Sequence, residues 1–162
     1  MGREKWDVIR REVYQSTNQH CAACGVHKAD AILHQWLEAH EIFSINYRAG
    51  VAELVEIVPL CHFCHSFIHS GLLRMKARKK EVTADHVRSV MRHGCSVLVT
   101  VASGMFRGTA DLCDLVSVGR GMIPIMPTPK GVADWGKWRM RWDGVEYCGK
   151  YKSQREWQRA YQ

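Results

Sequence analysis

Two short cysteine pairs constrain this chain more than any other feature. Cys21 and Cys24 form one C-x-x-C unit, Cys61 and Cys64 form a second, and 36 residues separate them. A C-x-x-C unit sets two thiols on one tight turn, where they can fill two corners of a tetrahedron. Two such units close a four-thiolate zinc site with no open coordination position. A site of this kind supplies folding energy rather than chemistry. The chain has seven cysteines. An odd number with two close pairs, and an opening segment MGREKWDVIRRE too polar for a secretory leader, argue against a disulfide framework. Cys95, Cys113 and Cys148 stand alone and read as small core residues.

The length of 162 residues fits one domain, or one domain with an appendage. No run of about 18 apolar residues occurs, so no transmembrane helix is expected. Gly2 is present, but Trp6 occupies the position where a myristoylation signal needs Ser or Thr. A cytoplasmic protein without a membrane role is the expectation. The net charge of +7 is unevenly spread. Residues 1–71 hold six Lys/Arg and eight Asp/Glu, whereas residues 72–162 hold seventeen and eight. The basic half is where phosphate contacts are to be sought.

Trp6, Ile9 and Val13 recur at near-helical spacing, so residues 4–15 read as a first helix. HCAACG at 20–25 reads as a tight knuckle. Residues 32–47 are rich in aromatic and β-branched side chains and fit a strand or hairpin. VAELVEIVPL at 51–60 fits a strand or a short helix, which Pro59 would end. CHFCHSFIHSG reads as a second knuckle running into a helix closed by Gly71. Thr83 is a candidate N-cap for a helix over about 84–93. Residues 95–120 are apolar with room for one or two helices, and GMIPIMPTPKG at 121–131 reads as a linker or extended arm.

The histidines add a second constellation. His40 and Glu41 sit at the end of the expected strand, His65 follows Cys64 directly, and His69 comes four residues later. Residues four apart share a helix face, so His65 and His69 can point toward the same place as His40.

L-E-x-H-E at Leu37–Glu41, followed by L-C-x-x-C-H-x-x-I-H in Leu60–His69, resembles the HNH endonuclease family with zinc-binding cysteines. The resemblance covers about residues 18–75. It implies a ββα-metal unit, treble-clef-like and braced by zinc on Cys21, Cys24, Cys61 and Cys64. It also implies hydrolysis of DNA phosphodiesters, with RNA left open, assisted by a catalytic Mg²⁺ or Mn²⁺. His40 and Glu41 cover the family's strand-end pair, one a metal ligand and the other the general base. Either His40 is the ligand and Glu41 takes the base position, or His40 is the base. His69 matches the helix ligand, with His65 beside it, so the ion is expected on His40 and His69. This chain departs from the family in two places. The pair ends in Glu41 rather than His, and no Asn precedes the third cysteine, where Glu56 is the nearest polar substitute. The family's distribution suggests a bacterial or phage source.

In the second half, Arg74, Lys76, Arg78, Lys79 and Lys80 form either a solvated charge run or a segment that tracks nucleic-acid phosphates. Asp143-Gly144 is a type I′ turn signal. Around it, alternation puts Trp138, Met140 and Trp142 on one face and Lys137, Arg139 and Arg141 on the other. The aromatic face is expected to pack on a terminal helix through Trp157 and Tyr161. Stacking of bases on these tryptophans is the alternative. Ser153 with Glu156 forms a capping box that opens this helix.

The expected fold is α+β. A zinc-braced HNH-like unit at 1–80 is followed by a helical segment at 81–120. A Pro-rich linker and hairpin–helix appendage complete the chain at 121–162. The expected function is a metal-dependent DNA endonuclease acting through His40, Glu41, His65 and His69. Basic residues 74–80 and Lys137, Arg139 and Arg141 would hold the substrate. Two rivals use the same scaffold: a nucleic-acid-binding module without catalysis, and a phage or bacterial interaction protein that binds a protein partner.

Overall fold

The computed structural model of the chain describes residues 3–105 and 131–160. Of residues 95–120, expected to hold one or two helices, 106–120 lie outside the described residues, as do most of the Pro-rich stretch, Cys113, Tyr161 and the side chain of Trp157. Helix α1 (Arg3–Ser16) carries half-buried Trp6, Ile9 and Val13, and Tyr14 packs on the core. Asn18 and Gln19 then take left-handed conformations at φ 50° and 62° and turn the chain into the first knuckle. There the Cys21 N–H donates to the Val26 carbonyl at 2.9 Å, and the Gly25 N–H to the Cys21 carbonyl at 2.9 Å. Gly25 sits at φ 73°, where a side chain would be strained. The knuckle is tied to the strand that precedes the second cysteine pair, because the Ala22 N–H donates to the Pro59 carbonyl at 2.8 Å.

Strand β1 (Glu38–Asn46) and strand β2 (Val51–Leu60) follow. They are neighbours in the sheet, joined by a turn at 47–50. Residues 31–37 are not strand. Leu33 has φ 78°, which breaks an extended run, and Ala31 and Leu37 turn inward as buried residues. Of the two readings of 51–60, the strand is the one found. Cys61 then caps helix α2 (His62–Ile68), and α3 (Ser70–Arg78) follows almost without pause. The expected stop at Gly71 is not there. The break falls at His69, with φ −90° and ψ 36°, and Gly71 lies inside α3. Helical hydrogen bonds bridge the break, from the His69 N–H to the His65 carbonyl at 3.1 Å and from the Leu73 N–H to the His69 carbonyl at 3.0 Å.

Thr83 caps helix α4 (Ala84–Met105), accepting from the His86 N–H at 3.1 Å. The helix continues well past residue 93 because Gly94 acts as a packing position rather than a terminator. Gly94 is buried, and a Cβ placed on it would collide with the ring of Phe67 on α2. The missing side chain lets α2 and α4 approach closely.

Past a short 3₁₀ turn at Trp135–Lys137 come strand β3 (Arg139–Trp142) and strand β4 (Val145–Cys148). Asp143 and Gly144 both have positive φ, 50° and 71°, the type I′ geometry that matches strand twist. The sheet order is β1-β2-β3-β4. The C-terminal hairpin thus extends the first hairpin instead of standing apart as an appendage. β3 pairs with β2 in parallel, Val51 opposite Arg139 and Glu53 opposite Arg141. Hydrogen bonds from the Ala133 N–H to the Tyr47 carbonyl and from the Arg139 N–H to the Gly50 carbonyl, both 2.8 Å, fix the approach. Helix α5 (Gln154–Ala160) opens on the expected cap. The Glu156 N–H donates to Ser153 Oγ at 3.2 Å, and a Glu156 carboxylate oxygen accepts from the Lys152 N–H at 2.7 Å.

The fold is therefore mixed α/β, with helices and one four-stranded sheet. Its described residues divide into two compact units, one from residues 3–40 and 58–105, the other from 41–57 and 131–160. The hydrophobic core belongs to the first. It is small, and Cys21, Cys61 and Cys64 are among its nine buried members, so the thiols take up space that aliphatic side chains would otherwise fill. Among the described residues, no helix is long and apolar enough to cross a membrane.

Gly94→Ala tests the α2–α4 contact. At an open helical site this change stabilises by roughly 0.5–1 kcal/mol. Here the sign is expected to reverse, with a loss of about 1–3 kcal/mol in urea unfolding, partly relieved by adding Phe67→Leu.

Candidate metal sites

The two C-x-x-C turns meet. The Sγ atoms of Cys21, Cys24, Cys61 and Cys64 all lie within 4.8 Å of one another. Tetrahedral zinc with Zn–S bonds of about 2.3 Å requires sulfur atoms about 3.8 Å apart, and Cys24 Sγ and Cys61 Sγ are separated by 3.8 Å. The four cysteines expected from the sequence are thus placed where they can hold one zinc ion. Hydrogen bonds from the Cys61 and Cys64 thiols hold Cys21 well below the usual thiol range, and the same bond to Cys21 raises Cys64. Burial, helped by the charge on Cys21, pushes Cys24 up to about 12. Loading zinc would displace these protons, so binding here is coupled to deprotonation.

One residue beside this cluster went unread in the sequence. His93 on α4 brings Nε2 to 3.2 Å from Cys64 Sγ and 3.9 Å from Cys61 Sγ. An imidazole N–H at that distance supports a thiolate from outside the ligand set. Its ring also meets Phe63 edge-on, with centroids 5.7 Å apart. The only available signal was helical periodicity after Thr83, which does not say which neighbour α4 packs against.

The second cluster is made of imidazoles. The nitrogens of His40, His65 and His69 lie within 4.8 Å of one another. His40 comes from β1, His65 from α2, and His69 from the break between α2 and α3. His69 Nε2 is 3.2 Å from His40 Nδ1, close to the roughly 3.3 Å edge expected for two nitrogens on tetrahedral zinc. His65 therefore stands with the candidate ligands rather than beside them. Glu41 follows His40 on β1 and is not a member of this group.

Glu38 connects the helix face to the strand. One carboxylate oxygen bonds His65 Nδ1 and the other bonds His62 Nδ1 at 2.8 Å. The His65 contact, reinforced by His62, lowers the Glu38 carboxyl to about 2. With Nδ1 of His65 taken, its Nε2 remains for a metal, the arrangement by which a carboxylate fixes a histidine ligand's tautomer. Glu38 lay in the motif used for the sequence resemblance, yet its role depends on a contact 27 positions away. His62 in turn packs against His34 and His86, with ring centroids 4.7 and 5.5 Å apart.

Arg74, Lys76, Arg78, Lys79 and Lys80 are all exposed, on α3 and just beyond it. Lys137, Arg139 and Arg141 face nearby acids. Lys137 Nζ is 3.1 Å from Asp134, and Arg139 and Arg141 lie 3.7 and 3.1 Å from Glu146. Such surface pairs add little stability, but they reduce the local positive charge. Trp138 meets Tyr47 edge-on at 6.0 Å.

Compared with protein-family models, curated proteins and solved structures, the chain matches none.

Two variants separate the clusters. Cys64→Ser is expected to abolish zinc retention at the thiol site and to unfold the first unit, read by loss of far-ultraviolet circular dichroism. Glu38→Gln is expected to spare the thiol site, seen as unchanged thiolate-to-cobalt charge-transfer absorption on cobalt loading. It should weaken metal at the histidine site by about 10–100-fold, measured by chelator competition.

Proposed function

We propose that this chain is a metal-dependent endonuclease of the HNH kind that hydrolyses phosphodiester bonds in DNA. One observation carries the reading: His40, His65 and His69 converge from a strand and the helix that follows the hairpin, in ββα order, with His65 held by Glu38. Three neutral imidazoles leave a tetrahedral ion one position open, as catalytic zinc sites do. Imidazole donors suit zinc and its first-row neighbours, whereas carboxylate and water suit magnesium. The donor set thus favours Zn²⁺ or Ni²⁺ at this site over the Mg²⁺ or Mn²⁺ that the resemblance implies. When bound, the ion supplies Lewis-acid stabilisation of the negative charge that builds on the phosphate and its departing oxygen.

The chain's own residues then have separate tasks. His40 belongs with the ligands in this reading, and Glu41, next to it on β1, turns to the opposite face of the strand. Glu38 keeps the His65 ring oriented. Arg74, Lys76, Arg78, Lys79 and Lys80 neutralise backbone phosphates. Lys137, Arg139 and Arg141, already facing Asp134 and Glu146, contribute less. The thiol-bound zinc holds the helix and strand that carry the histidines.

The second reading is a nucleic-acid-binding module that keeps the zinc scaffold without catalysis. It is favoured by Glu41 where the family has His, and by the exposed Glu56 on β2 where the family places Asn nearby. Plasmid nicking by zinc-loaded protein, with Zn²⁺, Ni²⁺, Mn²⁺ or Mg²⁺ added, decides between them. His40→Ala and His69→Ala are expected to abolish nicking. Glu41→Gln, on the opposite face of β1, should leave nicking and metal binding unchanged. Salt-sensitive DNA binding without nicking under any ion would establish the module instead. Absence of both would leave a protein partner as the target.

A further inference from the structure

The second unit holds an open cavity of about 410 Å³ walled by Trp135, Trp138 and Tyr151, with Gly149 and Lys150 completing it. That volume falls within the range of small-molecule sites, which are typically apolar with a few placed polar groups. Both indole N–H groups are already used. Trp135 Nε1 donates to the Tyr151 carbonyl at 3.0 Å, and Trp138 Nε1 to the Ala133 carbonyl at 3.2 Å. The rings are thereby fixed by the backbone of the same unit and offer faces rather than donors. Gly149, on the cavity wall, adds no side chain to narrow the entrance.

We propose that this pocket binds a single unstacked nucleobase of a nucleic-acid strand, with Lys150 meeting the adjoining phosphate. The proposal rests on the nuclease reading's premise that nucleic acid is the substrate, and it adds single-stranded character to what is recognised. Aromatic faces accept any base by stacking, so recognition would be tolerant of sequence. The charge selects among ligands that aromatic walls can hold. Lys150 Nζ lies 5.6 Å from the centre of the Tyr151 ring, a cation already at the wall. It disfavours a quaternary or methylated ammonium, which such cages otherwise take, and it favours a planar group that carries negative charge beside it. A proline-rich peptide would fit the aromatic walls but leave Lys150 without a role.

The test uses the full zinc-loaded chain and a fluorescein-labelled oligothymidine, with binding followed by anisotropy. Tryptophan quenching and a duplex of equal length serve as controls. Trp135→Ala is expected to weaken oligothymidine binding at least fivefold and to leave duplex binding unchanged. Trp135→Phe should restore most of the loss. Lys150→Gln should weaken binding less and lower the salt dependence by about one counterion. The proposal is overturned if Trp135→Ala and Lys150→Gln bind oligothymidine as the wild type does, or if a proline-rich peptide quenches the tryptophans and oligothymidine does not. Plasmid nicking is measured in parallel. Loss of single-strand binding in Trp135→Ala without nicking by any variant would uphold the pocket while rejecting the nuclease. Nicking with unaltered oligothymidine binding would do the reverse.

Discussion

The thiol cluster brings together segments that lie far apart in the chain. Cys21 and Cys24 lie on a turn after α1, and Cys61 and Cys64 lie at the start of α2. Among the described residues the hydrophobic core has nine buried members, and three of them are these cysteines. A hydrophobic core that small gives limited stability on its own, which is why compact domains recruit metals. The Ala22–Pro59 hydrogen bond and the His93 contact show that neighbouring elements are arranged around the sulfurs.

That arrangement also delivers the histidines. Cys64 and His65 are consecutive on α2, so whatever fixes the sulfur fixes the direction of the next ring. The break at His69 then turns a third imidazole toward His40 while the backbone hydrogen bonds continue. Glu38, two residues before His40 on β1, grips His65 and His62 and couples the strand to the helix. A four-cysteine cluster that can hold zinc and a cluster of three imidazoles are thus joined by a single peptide bond.

Features encoded within a few residues were legible in the sequence. The C-x-x-C turns, the four-residue spacing of His65 and His69, the Asp143-Gly144 turn, the Thr83 cap and the Ser153–Glu156 box all depend on local geometry, and each is found. What was missed depends on partners distant in the chain. Gly71 looked like a helix end because glycine often is, yet the helix resumes and His69 carries the irregularity. Gly94 was expected to lie beyond α4, but Phe67 makes it a contact position inside it. His93 and Glu38 acquire roles only from the way α4 and β1 pack on α2. The parallel pairing of β2 with β3 leaves no local trace, since a short strand carries no label for its neighbour.

That pairing has a consequence for how the protein is made. Cys21 and Cys64 are 43 positions apart, so the part that carries the four cysteines can close soon after α2 emerges from the ribosome. Val51 and Arg139 are 88 positions apart. At 5–20 residues per second, β2 waits roughly 4–18 s for its partner. During that interval the edge of β2 that β3 will occupy is unpaired and in reach of other chains. The order of translation therefore sets a window of vulnerability in the sheet that the early-closing cysteine cluster does not share.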